Sequence, residues 1–227
     1  GSKVYHLSDY TPDIPEELDF LFEKSDHILL KTSPILDITA GLRELHSVKE
    51  IHVIAVNNEV KELLWLIEKN WKSDLKLTTI NFQGKKVQKF SFDTEIKTLN
   101  TVLSKPLNYL YEPNAAIMKS GLFTEISTTF GIPKLHDHSH IYTSETLIKE
   151  FPGRQFQITE VKSFKDKSLK KRLKNKKANI TTRNFPDSVE NIRKKYRIQD
   201  GGSDYIFFTT NLEDEKIVIF GKKAKLT

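Results

Sequence analysis

The sequence predicts an α/β fold that passes, near its C-terminal end, into a small and strongly basic α+β unit. Three observations carry this. Through the first hundred residues, short apolar runs of strand type alternate with segments whose apolar residues recur at helical spacing. The chain has 227 residues, 10% of them aromatic, which suits one to two domains with buried cores and excludes wholesale disorder. The net charge of +6 is regional, since residues 151–200 hold 15 Lys/Arg against 5 Asp/Glu and leave the remainder net acidic.

The elements follow in order. Pro15 to Lys24 reads as a helix with Leu18, Leu21 and Phe22 on one face and Asp13 as its cap. His27 to Lys31 is a nearly continuous apolar run of the kind that buried parallel strands show. Ser33-Pro34 then supplies a cap and a first-turn proline for a helix carrying Ile35, Ile38, Leu42 and Leu45 inward. Lys49 to Val56 is a second strand. Asn57-Asn58-Glu59 is expected to cap a third helix, because Val60, Leu63, Leu64 and Ile67 follow the i, i+3, i+4, i+7 spacing. Leu75 to Phe82 and Val87 to Phe92, split by Gln83-Gly84-Lys85, read as a hairpin. This order implies right-handed crossovers and a mostly parallel sheet, entered part-way along.

The pattern lapses from Leu99 to Pro113, and a first boundary is placed at 104/105. Asn114 to Phe130 is helical with a break at Ser120-Gly121, and His140 to Thr143 is a short strand. Phe151-Pro-Gly marks a second boundary, at 152/153. Beyond it come a strand at Gln155–Val161, a basic helix at Lys167–Lys176 and a strand at Ala178–Thr182. A helix at Pro186–Arg197 and a hairpin of Tyr205–Thr209 with Ile217–Phe220 complete the chain.

Several function classes drop out. Cysteine is absent, which removes disulfides, thiolate nucleophiles and Cys-based metal sites. None of the nine glycines forms a G-x-G-x-x-G or G-x-x-x-x-G-K-[ST] loop, so no usual nucleotide phosphate cradle is encoded. No apolar run has membrane-spanning length, and the cytoplasm is the expected compartment. Gly1 and Ser2 read as a cloning remnant, with the natural start expected upstream.

The strongest local signal is the run from Lys162 to Lys177, with nine basic residues and one acid. Leu169 and Leu173, one turn apart, dock the expected helix while Lys170, Lys171, Arg172, Lys174, Lys176 and Lys177 fan outward. Arg183, Arg193, Lys194, Lys195 and Arg197 extend that face. Cations on a held frame suit phosphate neutralisation, so RNA is the expected partner and no membrane is. His136, His138 and His140 would share one face of an extended segment, but nothing supplies a fourth ligand, and no metal site is assigned. Asp9 and Asp13 suit turn and cap roles better than a catalytic pair, and Trp65 and Trp71 suit packing.

Several phrases resemble a family. Lys3-Val-Tyr-His-Leu-Ser-Asp-Tyr-Thr-Pro-Asp13, Leu30-Lys-Thr-Ser-Pro-Ile-Leu-Asp-Ile38 and Val56-Asn-Asn-Glu-Val-Lys-Glu-Leu-Leu64 are similar to the distal half of a class I S-adenosylmethionine-dependent methyltransferase. The subgroup, familiar from Bacteroidota, carries a THUMP-like domain. Tyr109 to Gly121, His140 to Ser144 and Phe151-Pro-Gly-Arg154 resemble its small ferredoxin-like insert, while Ala178 to Pro186 and Asp200-Gly-Gly resemble its THUMP-like unit. The resemblance implies a partial Rossmann-like methyltransferase sheet at 1–104, a ferredoxin-like connecting domain at 105–152 and a THUMP-like domain at 153–227. Family members carry a glycine-containing cofactor loop, an acidic ribose ligand and a D-P-x-R-R motif ahead of the phrase that begins here at Lys3. None of these can be placed on this chain.

The expected function is therefore the substrate-side, RNA-binding portion of an RNA methyltransferase. S-adenosylmethionine would be the cofactor of the intact protein, with none bound to this portion and no catalytic residue assigned. Lys31, Ser33, Asn57 and Asn58, at strand ends, are the expected rim of a target pocket, with ordinary capping as their simpler role. The alternatives are a non-catalytic module whose basic face binds a protein or other polyanion, and a metal-dependent hydrolase built on the three histidines.

Overall fold

The computed structural model describes residues 5–93 and 101–225. Gly1, Ser2, the opening of the phrase at Lys3 and the start of the pattern lapse at Leu99 lie outside the described residues. Two compact units are present. One holds the N-terminal part together with Asn114–Leu122, and the other holds the stretch ending at Pro113 and everything from Phe123 on.

The first unit opens with a 3-10 turn at Leu7–Asp9 and helix α1 (Ile14–Phe22), capped as expected by Asp13, whose carboxylate accepts the Glu16 amide. Strand β1 (His27–Thr32) and helix α2 (Ile38–Glu44) follow. Helix α2 starts later than the sequence suggests. Asp37 is its N-cap, accepting the Ala40 amide at 2.9 Å, while the Ser33 hydroxyl accepts the Ile35 amide in the turn before it. Ile35 consequently faces solvent and Leu36 takes the buried place.

Strands β2 (Val48–Val56), β3 (Glu59–Glu68), β4 (Lys76–Gln83) and β5 (Lys86–Asp93) complete a sheet of order β1-β3-β2-β4-β5. The expected third helix is β3. Asn57 and Asn58 both adopt positive φ, 51° and 63°, and close a two-residue hairpin. Leu63, Trp65 and Ile67 then alternate into the core, so Leu63 and Ile67 of the helical set also fit a period of two, while Leu64 takes the other face. That exchange changes the strand directions. The β1–β3, β2–β3 and β4–β5 pairs are antiparallel, and only β2–β4 is parallel. Strand β1 is an edge and not a buried parallel strand, with Leu29 67% exposed. Trp65 anchors the core, donating its indole N–H to Thr32 Oγ1 at 2.9 Å. Gly41 lets α2 close on it, since a Cβ there would lie 2.6 Å from the indole ring.

Helix α3 (Ala115–Ser120) belongs to this unit and packs on β2 and β4. Asn58 Oδ1 accepts the Ala115 amide at 2.8 Å, and Gln88 Oε1 accepts from Asn81 and Asn114 side chains at 3.0 and 3.1 Å. Gly121 ends α3, and α4 (Phe123–Phe130) begins beyond it, which is the break the sequence shows.

The second unit adds β6 (Tyr109–Pro113), β7 (Tyr142–Ser144), β8 (Gly153–Ser163), α5 (Leu169–Leu173), β9 (Asn179–Thr182), α6 (Val189–Tyr196), β10 (Asp204–Thr210) and β11 (Lys216–Lys223). Its sheet order is β7-β6-β8-β11-β10-β9. Alternate residues of β10 and β11 face two cores. Ile206, Phe208, Val218 and Phe220 pack against Leu169, Leu173, Ile192 and Tyr196 of α5 and α6. Phe207, Ile217 and Ile219 pack with Leu110, Leu135 and Phe156 on the other face. Burial on both faces is why these strands read as unbroken apolar runs.

One buried charge sits in this sheet. The Glu112 side chain of β6 is 4% exposed, and its carboxylate accepts from Arg154 of β8 and, at 2.9 Å, from Arg183 just beyond β9.

Candidate nucleic-acid interface

Helix α5 is a little over one turn long and is held from below by Leu169 and Leu173, as their spacing predicts. Its C-terminal end is tied to the end of α6, because the Asn175 amide donates to the Tyr196 carbonyl at 3.1 Å. Asn175 and Arg197 both take left-handed backbone conformations, with φ of 57° and 54°, which turns each helix sharply away after its last residue. Between the two ends lies a cleft of about 270 Å³ lined by Lys170, Lys174, Lys195, Tyr196 and Arg197. No carboxylate lines it.

The other basic residues of the expected face divide. Lys171, Lys177 and Lys194 are exposed and Lys176 is half-buried. Three residues are tied to acids of the fold and do not fan outward. Arg172 donates from Nε to Glu160 at 2.8 Å and lays its guanidinium 4.5 Å from the centre of the Phe220 ring. The Arg172 hydrogen bond in turn holds the Glu160 carboxyl below the usual carboxylate range. Arg183 is committed to Glu112, and Arg193 of α6 to Asp200 at 2.5 Å. Each of these already has a carboxylate partner, with which an outside anion must compete.

The expected pocket rim also divides. Lys31 and Ser33 line a cavity of about 300 Å³ with Tyr10, Pro12 and Leu30, and the Lys31 ammonium donates to Glu62 at 3.1 Å. Asn57 and Asn58 do not line it. They form the β2–β3 turn, and Asn58 holds the first amide of α3, which is the capping role.

The His136 and His138 rings lie 5.5 Å apart, but the three histidines do not gather as one ligand set. Residues 136–139 form turns, not an extended segment. His136 instead meets Asp214 at 2.9 Å and Asn184 at 3.0 Å. His140 stacks on Phe123 with centroids 3.6 Å apart. Among the described residues no three His, Asp or Glu side chains gather as a metal-holding group. Burial, then the nearby charges of Lys134, Arg183 and His138, push His140 down from its usual 6.5 to about 4. The neutral ring is thus the folded form, and stability present above pH 6.5 is lost as pH falls toward 4, where only the unfolded chain takes the proton readily. Urea melts at about pH 7 and about pH 5.5 check this. Wild type loses more stability between the two than His140→Asn does, and equal losses contradict the assignment.

Residues 109–152 match a ferredoxin-like domain family, and 153–223 match a family described as THUMP domain-like. A crystal structure described as a "putative methyltransferase" from Porphyromonas gingivalis W83 superposes with a TM-score of 0.89 at 33% identity, covering 98% of this chain and 57% of that one. The chain is a THUMP-like, methyltransferase-related protein. The family resemblance read from the sequence is borne out. No curated protein matches the chain. It spans a little over half the length of the methyltransferase-like relative.

The basic cleft falls wholly within the THUMP-like segment, as do both helices that build it. The ferredoxin-like and THUMP-like segments share one sheet, since β6 pairs with β8 from Tyr109–Gln157 to Pro113–Gly153. Among the described residues no helix is long and apolar enough to cross a membrane.

Proposed function

We propose that this chain is the substrate-side, RNA-binding portion of an S-adenosylmethionine-dependent RNA methyltransferase acting in the cytoplasm. The observation that carries the reading is the α5/α6 cleft. Lysine and arginine side chains from two helix ends meet there with no carboxylate in the lining, inside a segment of THUMP type. Cations held with no tight ion pair are free to replace counterions on a phosphate backbone.

The methyl donor is assigned to the longer protein. S-adenosylmethionine supplies an electrophilic methyl group, and binding it calls for acceptors that hold its ribose hydroxyls. At the single strand-to-helix passage of the described five-stranded sheet, between β1 and α2, the polar side chains already have local partners. Ser33 accepts the Ile35 amide, Asp37 accepts the Ala40 amide, and the nearby Glu62 accepts from Lys31. We assign none of these residues to the cofactor, and no step of methyl transfer is derived from them.

The test is titration of a structured RNA by gel shift with wild type and the Lys170→Gln, Lys174→Gln, Lys195→Gln triple variant. The variant is expected to bind about tenfold more weakly or worse at moderate salt. Its thermal melt should be unchanged, because Leu169 and Leu173 still dock the helix. Arg172, which the lysine run suggests for the same variant, is left intact because its bond to Glu160 is part of the fold.

A further inference from the structure

We infer that the cleft between α5 and α6 receives the terminal phosphate of an RNA, a phosphomonoester, and not a link within the backbone. This rests on the RNA-binding reading above and goes further in naming the group that enters.

The cations converge from two sides on one volume. Lys170 and Lys174 stand one helical turn apart at α5 and its C-cap, while Lys195 and Arg197 stand in the last turn of α6 and at its C-cap. A helix's C-terminal carbonyls favour cations, which allows four positive groups to gather without an acid among them. The nearest carboxylate recorded for any of the four is Asp187 Oδ2, 3.8 Å from the Lys195 ammonium. An arriving anion therefore displaces no tight ion pair, unlike at Arg172, Arg183 or Arg193.

Shape and charge select the kind of phosphate. Backbone diesters carry one charge each and continue in both directions, so they suit cations spread along a ridge. Here the four cationic residues border one cavity of about 270 Å³ instead of lying along a ridge. A terminal phosphomonoester projects from its chain, carries a charge of about −1.5 to −2 and offers three acceptor oxygens. Several donors can close on it at once, and bonds between charged partners are the strong kind.

The test uses the whole chain and one hairpin RNA with three kinds of end: a 5′-monophosphate, a 3′-monophosphate, or hydroxyls only. Fluorescence anisotropy at near-physiological salt should show one phosphate-ended RNA binding about tenfold more tightly than the hydroxyl-ended one. Which arm is tighter identifies the end. Lys174→Gln with Lys195→Gln should erase the preference, and Lys174→Arg with Lys195→Arg should keep it. Lys171→Gln with Lys177→Gln removes the same charge outside the cleft, and should weaken every RNA alike while leaving the preference. Equal binding of all three RNAs overturns the terminal-phosphate inference and leaves RNA binding standing. A preference that survives the cleft glutamines overturns the assignment to this cleft. Failure to bind any of the RNAs overturns both.

Discussion

Glu112→Ala is expected to destabilise the second unit by about 3 kcal/mol, as removing one partner of a buried ion group does. The Glu112 carboxylate is almost wholly buried and is the shared acceptor for Arg154 and Arg183. Without it, two guanidinium groups lose their shared carboxylate, and Arg183 Nε is already buried with no hydrogen-bond partner. Both arginine side chains keep a third or more of their surface in water, at 41% and 34%, which holds the effect at the lower end of the range for buried pairs. Urea denaturation measures it. A loss below about 1 kcal/mol would mean that the arginines simply turn out to solvent. Replacing all three with apolar residues, Glu112→Leu, Arg154→Met and Arg183→Met, should recover part of the loss, because the cost lies in the unpaired charges.

Gly153→Ala is expected to cost a similar amount, about 3 kcal/mol, through overpacking. Gly153 lies opposite Pro113 in the β6–β8 pairing. A Cβ at this position would run into the Glu112 carbonyl oxygen, and would lie 2.8 Å from Cε1 of Phe151. The obstacle is backbone inside a ladder, so no rotamer change relieves it. The strands must part instead. Hydrogen exchange gives the signature, because β7 joins the sheet only through β6, and β6 reaches the rest only through β8. Amides of β6 and β7 should exchange faster in Gly153→Ala while those of β10 and β11 change little. Uniform acceleration would point to global destabilisation instead.

How far the sequence reveals this molecule depends on the range of the interactions involved. Elements set by local chemistry are legible, among them the cap at Asp13, the break at Gly121 and the β4–β5 hairpin around Gly84. The β3 strand is not, although Asn57-Asn58 is a turn signal in its own right. Leu63 and Ile67 fit both periods, and Trp65 settles the matter only once it is seen buried between α2 and β1. Strand β1 follows the same error, since its direction and edge position come from pairing with β3. At the candidate interface, the lysine run locates the helix and its charge. Which cations remain available depends on distant acids. Arg172 meets Glu160 across 12 residues and Arg183 meets Glu112 across 71. The cleft itself depends on the end of α6 closing on α5 through the Asn175–Tyr196 bond, which no spacing encodes.

The salt dependence of RNA binding tests the central claim most directly. Affinity of wild type for a structured RNA, measured across a series of salt concentrations, should fall steeply, with a negative slope of log affinity against log salt. In the Lys170→Gln, Lys174→Gln, Lys195→Gln variant that slope should flatten by about 0.7 to 0.9 for each phosphate that is no longer neutralised, or about 2 in all. A variant that binds as tightly as wild type with the same slope would show the cleft to be an ordinary solvated surface and would contradict its role in RNA binding.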